Sequence, residues 1–271
     1  MKANRIQSGG RRRLFALLCA AVAVAAAAGV VVCYGTLAGI YREQCVLTDM
    51  SEQVEITSGK MVKPDVIAEN LGLRVGANLA EIDFAEKREE ILRKIPTLRA
   101  ISITRIMPDR VRVVAEERTP VAKMGICGQR RVSGRVVDSE GVVFICQRGT
   151  QLLPTICEPL PPGTQPGHRI KNRASAALML IETCRDPEFA ALGIQDVDIS
   201  KPDYLLATLG DYSRLKIVWE GMDSESSKSR RDLTVRLSNL VKSMGSSAGV
   251  GTRTWNATMP GRIFADTEEK N

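Results

Sequence analysis

LRAISITRIMPDRVRVVAEERTPVA, residues 98–122, is the stretch that decides the fold. In its first half Ile101 and Ile103 alternate with Ser102 and Thr104. In its second, Val111, Val113 and Ala115 alternate with Arg112, Val114 and Glu116. Successive side chains of a strand point to opposite faces, so each half reads as a strand with one face buried. Pro108, Asp109 and Arg110 supply the turn between them.

Upstream, Gln53–Gly59 alternates and stops at a glycine, which predicts a short strand. Pro64 opens a helix through Asn70 with Val66, Ile67 and Leu71 as its apolar side, and Gly72 and Gly76 break it. Asp83 is placed to cap a second helix running to about Ile95, with Glu86 three residues on. Ala85, Arg88, Leu92 and Ile95 are predicted to share its inner face, the Arg88 stem lying along the stripe. Pro96 stops it. The order strand–helix–helix–strand–strand over residues 54–122 predicts a small α+β unit.

Further upstream, residues 14–41 carry no charged side chain. As a helix they are about 42 Å long, against a bilayer core of about 30 Å. A cleavable signal is the rival reading, with Ala25 and Ala27 near a cleavage site. Its apolar region would be only about 7–15 residues long. Val30, Val31, Val32, Tyr34, Leu37 and Ile40 carry the run beyond that, which favours a permanent transmembrane helix. Residues 1–13 form a basic tail, whereas Arg42 and Glu43 cancel. The tail is therefore expected in the cytoplasm and the bulk of the chain on the far side of the membrane. Gly35 and Gly39 form a GxxxG spacing that permits close helix approach or arises by chance in an Ala-rich run. Residues 45–53 read as a polar connector.

Downstream, residues 123–266 predict a mixed β-domain with two helices, followed by a tail, 267–271. Strands over 132–137 and 142–146 flank Asp138–Gly141 as a hairpin. A Pro/Gly-rich linker, 154–167, leads to a helix over 172–185. Strands are expected near 194–199, 204–208 and 215–219. A helix over 224–244 places Leu233, Leu237, Leu240 and Val241 on one side. One last strand is predicted over 252–265, interrupted at Pro260 and Gly261.

The net charge of +7 is concentrated in the tail at Lys2, Arg5, Arg11, Arg12 and Arg13, and aromatics are scarce. Both observations argue against nucleic acid. There is no GxSxG, Walker A loop or HExxH. The one histidine, His168, lies in the Pro/Gly linker, a poor platform for catalysis. Asp196 and Asp198 share a strand face and read as solvated acids, or as a metal pair lacking a third ligand. Seven cysteines without a CxxC read as buried free thiols more readily than as a zinc site or a disulfide framework. The chain is therefore expected to have no enzymatic activity, no cofactor, no metal and no small-molecule substrate. What remains is sheet edges. Pro260 suits an edge strand, and an open edge is a place to add a partner's strand.

Residues 98–122, the run Gly76-Ala-Asn-Leu79 with Asp83 after it, the hairpin 136–144 and the segment 254–264 together resemble the FtsQ/DivIB cell-division family. Its members have a polypeptide-transport-associated (POTRA) domain followed by a β-domain. The resemblance implies a single-pass divisome scaffold of the inner membrane, at the septum, that binds small proteins of the FtsB and FtsL type and controls septal peptidoglycan synthesis. Carried over by position, it implies partner contacts at Thr254, Trp255, Ala257, Met259, Ile263 and Phe264 by strand addition. Met259 stands where the family usually has an aromatic, and Asn256 and Thr258 where it often has Asp and Arg. On the POTRA unit the implied contacts are Arg105, Glu117 and Arg118, for which salt bridging at the sheet end is the alternative. The competing readings are another POTRA-containing envelope assembly or secretion factor, and an anchored extracytoplasmic enzyme.

Overall fold

In a computed structural model the described residues are 8–126, 134–158, 164–224, 226–246 and 251–266. Helix α1 (Ser8–Gln44) is continuous, and its portion Ala20–Gln44 is long and apolar enough to cross a membrane. Val22, Val31 and Leu37 are all more than half exposed, an arrangement that suits lipid and not water. Packing divides the chain into two units. One comprises Met1–Thr57, Pro64–Arg88 and Ser102–Val114; the other comprises Ser58–Lys63, Glu89–Ile101 and Ala115–Asn271.

The stretch after α1 is part of the fold and not the simple connector expected from its polarity. Cys45 and Leu47 are buried, and Val46 bridges Asn78. The Leu47 amide donates to the Ala77 carbonyl, and the Gly76 and Leu79 amides return to the carbonyls of Leu47 and Cys45. A single turn, α2 (Met50–Gln53), is capped by Asp49, whose carboxylate accepts from the Ser51 amide. Gln53 then accepts from the amides of Thr48 and Asp49 and donates to Asp109. Polarity misled here because the polar groups turn inward onto backbone.

The expected order follows: β1 (Val54–Thr57), α3 (Pro64–Leu71), α4 (Phe84–Lys94), β2 (Leu98–Ile106) and β3 (Arg110–Glu117). The strands form a sheet ordered β1-β3-β2, with β1 parallel to β3. Asp83 caps α4 through the amides of Ala85 and Glu86. The inner face of α4 differs from the one expected. Ile91 is its buried residue, Phe84, Lys87 and Leu92 are half-buried, and Ala85 and Arg88 are exposed. The apolar residues were too few to fix the helical phase. In α3, Ile67, Ala68 and Leu71 are buried while Val66 is exposed.

The larger sheet comprises β4 (Ala122–Ile126), β5 (Arg135–Val137), β6 (Val143–Ile145), β7 (Thr155–Glu158), β8 (Asp196–Asp198), β9 (Leu205–Thr208), β10 (Arg214–Ile217), β11 (Thr254–Ala257) and β12 (Phe264–Asp266). Its order is β12-β11-β10-β9-β8-β7-β4-β5-β6. Helix α5 (Arg173–Thr183) links the parallel pair β7 and β8, and α6 (Ser227–Met244) links the parallel pair β10 and β11. Such crossovers lay their helices on a sheet face. α5 and α6 pack on each other, so one face of the sheet is covered. Met124, Ile156, Val197, Ala207, Leu215 and Trp255 form a buried row across the strands on that side. The adjacent row, Lys123, Thr155, Asp196, Thr208 and Arg214, is half-buried or exposed.

Two features of this sheet correct the sequence reading. β7 lies inside the stretch read as a Pro/Gly linker; Ile156 is fully buried between β4 and β8, and the prolines and glycines only flank it. The expected single last strand over 252–265 is a hairpin of β11 and β12. Arg262 donates its amide to the Met259 carbonyl, and Gly261 has φ +69°. Pro followed by a glycine at positive φ is a turn signal, stronger here than the edge-strand reading of Pro260.

Candidate functional site

The hairpin of β11 and β12 ends the larger sheet and is the candidate site. β11 is held from three sides. It pairs with β10 along Thr254–Ala257 and with β12 on its other flank. From above, α6 presents Arg236, whose Nη1 donates to the Ala257 carbonyl at 3.2 Å and whose Nε donates to Asp232 at 2.9 Å. Asp232 also accepts from the Glu220 amide. Burial pushes the Asp232 carboxyl up, but the Glu220 amide and Arg236 outweigh it and hold the group below its ordinary value. Ser226 caps α6 through the Ser229 amide, and the Ser229 hydroxyl accepts from the Trp219 indole at 2.9 Å. At the turn, Asn256 Oδ1 accepts from both the amide and the hydroxyl of Thr258.

The implied contact residues therefore fall into two groups. Thr254, Trp255 and Ala257 are buried on an inner strand with both flanks occupied, so the reading of that segment as an outer strand is corrected. Met259 and Phe264 are exposed, 56% and 44%, and Ile263 is half-buried against the core. The outermost strand is β12, and among the described residues no backbone pairs with its outer flank. At the opposite end of the sheet, β6 is closed by its neighbours. Val143 donates its amide to the His168 carbonyl and accepts from the Gly167 amide, and Val142 bridges Arg169.

Arg105, Glu117 and Arg118 do not form one cluster. Arg105 stacks on Phe84, 4.8 Å from the ring centre, and donates to the Ile82 carbonyl. The Glu117 carboxylate accepts from the amides of Met61 and Val62, so it holds residues 58–63 in place. Arg118 is mostly buried, with Nη1 2.5 Å from Asp138 and 3.0 Å from Glu140. Its Nε donates to the Pro96 carbonyl. Hydrogen bonds from Arg118 and then Arg99 hold the Glu140 carboxyl below its ordinary value. Arg118 is thus salt-bridged at the sheet end, the alternative weighed for it, whereas Glu117 is engaged by backbone amides and not by a cation.

Asp196 accepts from Thr208, and Asp198 from the Ser200 amide. Among the described residues no group of three or more His, Cys, Asp or Glu side chains is gathered to hold a metal. Cys45, Cys146 and Cys184 are buried free thiols; burial pushes Cys184 up to about 12. Cys127 lies outside the described residues. Sequence reasoning missed Arg236, although one signal was visible. It is a charge between Leu233 and Leu237 on the apolar stripe of α6, and it is only 6% exposed.

Residues 51–118 match the family model of the POTRA domain, FtsQ-type. Two curated proteins are similar to the chain, and each is named cell division protein FtsQ. The one from Rhodothermus marinus (strain ATCC 43812 / DSM 4252 / R-10) is 32% identical over 135 residues, 50% of this chain and 44% of its own length. The one from Koribacter versatilis (strain Ellin345) is 23% identical over 167 residues, 60% of this chain and 46% of its own length. The matches span about half the length of these curated relatives.

Proposed function

Starting from the chain's membership of the FtsQ/DivIB family of cell-division proteins, we propose that it is a membrane-anchored scaffold of the division machinery that works by binding and not by turnover. The span in α1 holds it in the inner membrane with the basic tail in the cytoplasm and the two sheets outside. Its partner is a small single-span protein of the FtsB or FtsL type, which extends the larger sheet beyond β12. Through that partner the scaffold controls septal peptidoglycan synthesis.

The observation that carries the reading is the asymmetry of the sheet ends: the start of β6 is closed at Val142 and Val143 by residues 167–169, whereas among the described residues nothing pairs with the outer flank of β12. An incoming strand on β12 gains main-chain hydrogen bonds, and Phe264 and Met259 offer it exposed apolar surface. Thr254, Trp255 and Ala257 support the edge from behind and do not touch the partner. On the POTRA side, Arg105 is the member of the implied trio with the most exposed position.

The test is a photoreactive amino acid at Phe264, or at Ile145 on β6 as comparison, in the full chain in dividing cells. Adducts with a small single-span protein are expected from Phe264 and not from Ile145. Phe264→Asp should abolish septal recruitment of that protein at a modest cost to the fold, since the side chain is 44% exposed on the outermost strand. No adduct from Phe264, or equal yields from both positions, would overturn the assignment.

A further inference from the structure

We propose that two loops, residues 72–77 and 104–110, form a foot that rests on phospholipid headgroups beside the transmembrane helix. The inference rests on the reading of α1 as a membrane anchor.

The first loop is fixed to the outer end of α1. Its Gly76 amide donates to the Leu47 carbonyl at 2.8 Å, the Leu47 amide donates to Ala77 at 2.9 Å, and Asn78 Nδ2 donates to the Arg42 carbonyl at 3.1 Å. The second loop meets the same end, where the Tyr41 hydroxyl donates to the Met107 sulfur at 2.7 Å. Tyr41 closes the charge-free run that begins at Leu14. That run is about 42 Å as a helix, close to the full bilayer thickness including headgroups. Tyrosine favours that layer. Residues bonded to Tyr41, Arg42 and Leu47 are therefore held at headgroup depth.

The chemistry of the loops suits that depth. Val75 is 65% and Met107 58% exposed, and Ile106 is also exposed. Apolar side chains that gain nothing in water gain a partner in the acyl boundary. The same loops carry the exposed Arg74, Arg105 and Arg110, against one carboxylate, Asp109, which accepts from Gln53. Guanidinium groups bind phosphate with paired donors. Exposed apolar side chains interspersed with exposed arginines, on loops bonded to the end of a membrane helix, match a phospholipid surface. The foot would fix the tilt of the first unit on the membrane, where otherwise α1 would let it swivel.

The test uses the full chain, one copy per nanodisc of phosphatidylcholine and phosphatidylglycerol, so that no second copy covers the loops. A photoreactive amino acid replaces Val75, Met107 or, within the span, Val31, and lipid adducts are read by mass. Adducts are expected at all three positions. Arg74→Glu with Arg110→Glu should lower the yield at Val75 and Met107 by about five-fold or more for each arginine replaced, leaving Val31 unchanged. Adducts at Val31 with none at Val75 and Met107 would overturn the foot while leaving the anchor standing. No adducts at Val31 would overturn the anchor, and the foot with it.

Discussion

Replacing Arg236 by methionine keeps most of the side-chain volume and removes the fork that ties α6 to β11. The change deletes the bond from Nη1 to the Ala257 carbonyl and the ion pair with Asp232. Ala257 is fully buried, so its carbonyl loses a partner that water does not readily replace. Such an orphan costs about 1–3 kcal/mol. Asp232 is about one third exposed and keeps the Glu220 amide, so its charge rehydrates in part and adds less than the full penalty of a broken buried pair. The sum is about 2–4 kcal/mol, a loss of roughly 4–16 °C in Tm for a unit of this size. The assay is thermal unfolding of the full chain in detergent by intrinsic fluorescence. Both tryptophans report on this region: Trp219 bonds Ser229 of α6, and Trp255 lies on β11. Hydrogen exchange of residues 254–266 should rise in parallel while that of 54–57 does not. Arg236→Lys should fall between, since it retains the charge without the planar fork. If Arg236→Met melts within about 1 °C of the parent, the clamp is not what holds β11, and the assignment of Arg236 as its positioning residue fails.

A bulky charge at Trp255, 3% exposed, should unfold the larger sheet, whereas Phe264→Asp, at 44% exposure, should lower its melting far less; equal effects would contradict the inner and outer assignment of β11 and β12. Arg118→Ala removes the cation from the buried Asp138 carboxylate, which keeps the amides of Glu140 and Val142, and should cost somewhat less than the roughly 3–5 kcal/mol of a fully broken buried pair by denaturant unfolding. A Cβ on Gly59 would lie 2.0 Å from Glu117 Oε2, so Gly59→Ala should displace that carboxylate and loosen residues 58–63. Gly59→Ala should then cost much less in a Glu117→Ala background, which a double-mutant cycle measures. The Glu140 carboxyl is held below its ordinary value by Arg118 and Arg99, so its contribution is full above about pH 4.5 and is lost as pH falls through the folded value. Stability between about pH 5 and 3 should accordingly fall less for Glu140→Gln than for the parent.

What was legible in the sequence was whatever a local period or cap encodes. The alternation of residues 101–116 gave the hairpin of β2 and β3, and Asp83 gave the start of α4. The charge-free run gave the span. Two things were not legible, each for a physical reason. β4 and β7 pair parallel across more than thirty residues of chain, and nothing local marks that pairing. β7 is moreover a four-residue strand among prolines and glycines that govern only its flanks.

The site itself was half legible, because a strand and a hairpin share the same alternation. Residues 252–265 carry enough apolar positions for one long strand, and only the turn at Pro260 and Gly261 tells the two apart. Under the proposed strand addition, the difference decides which residues would meet a partner. In a single strand Trp255 would lie on the outer edge; in the hairpin it faces α6 and the edge passes to Phe264. The turn thus exchanges three implied contacts for three backing residues, and it places Asn256 and Thr258 where they bond each other. Their departure from the Asp and Arg common in the family therefore bears on how the turn is held. It need not alter what an added strand encounters, since that strand would pair with the backbone of Phe264–Asp266.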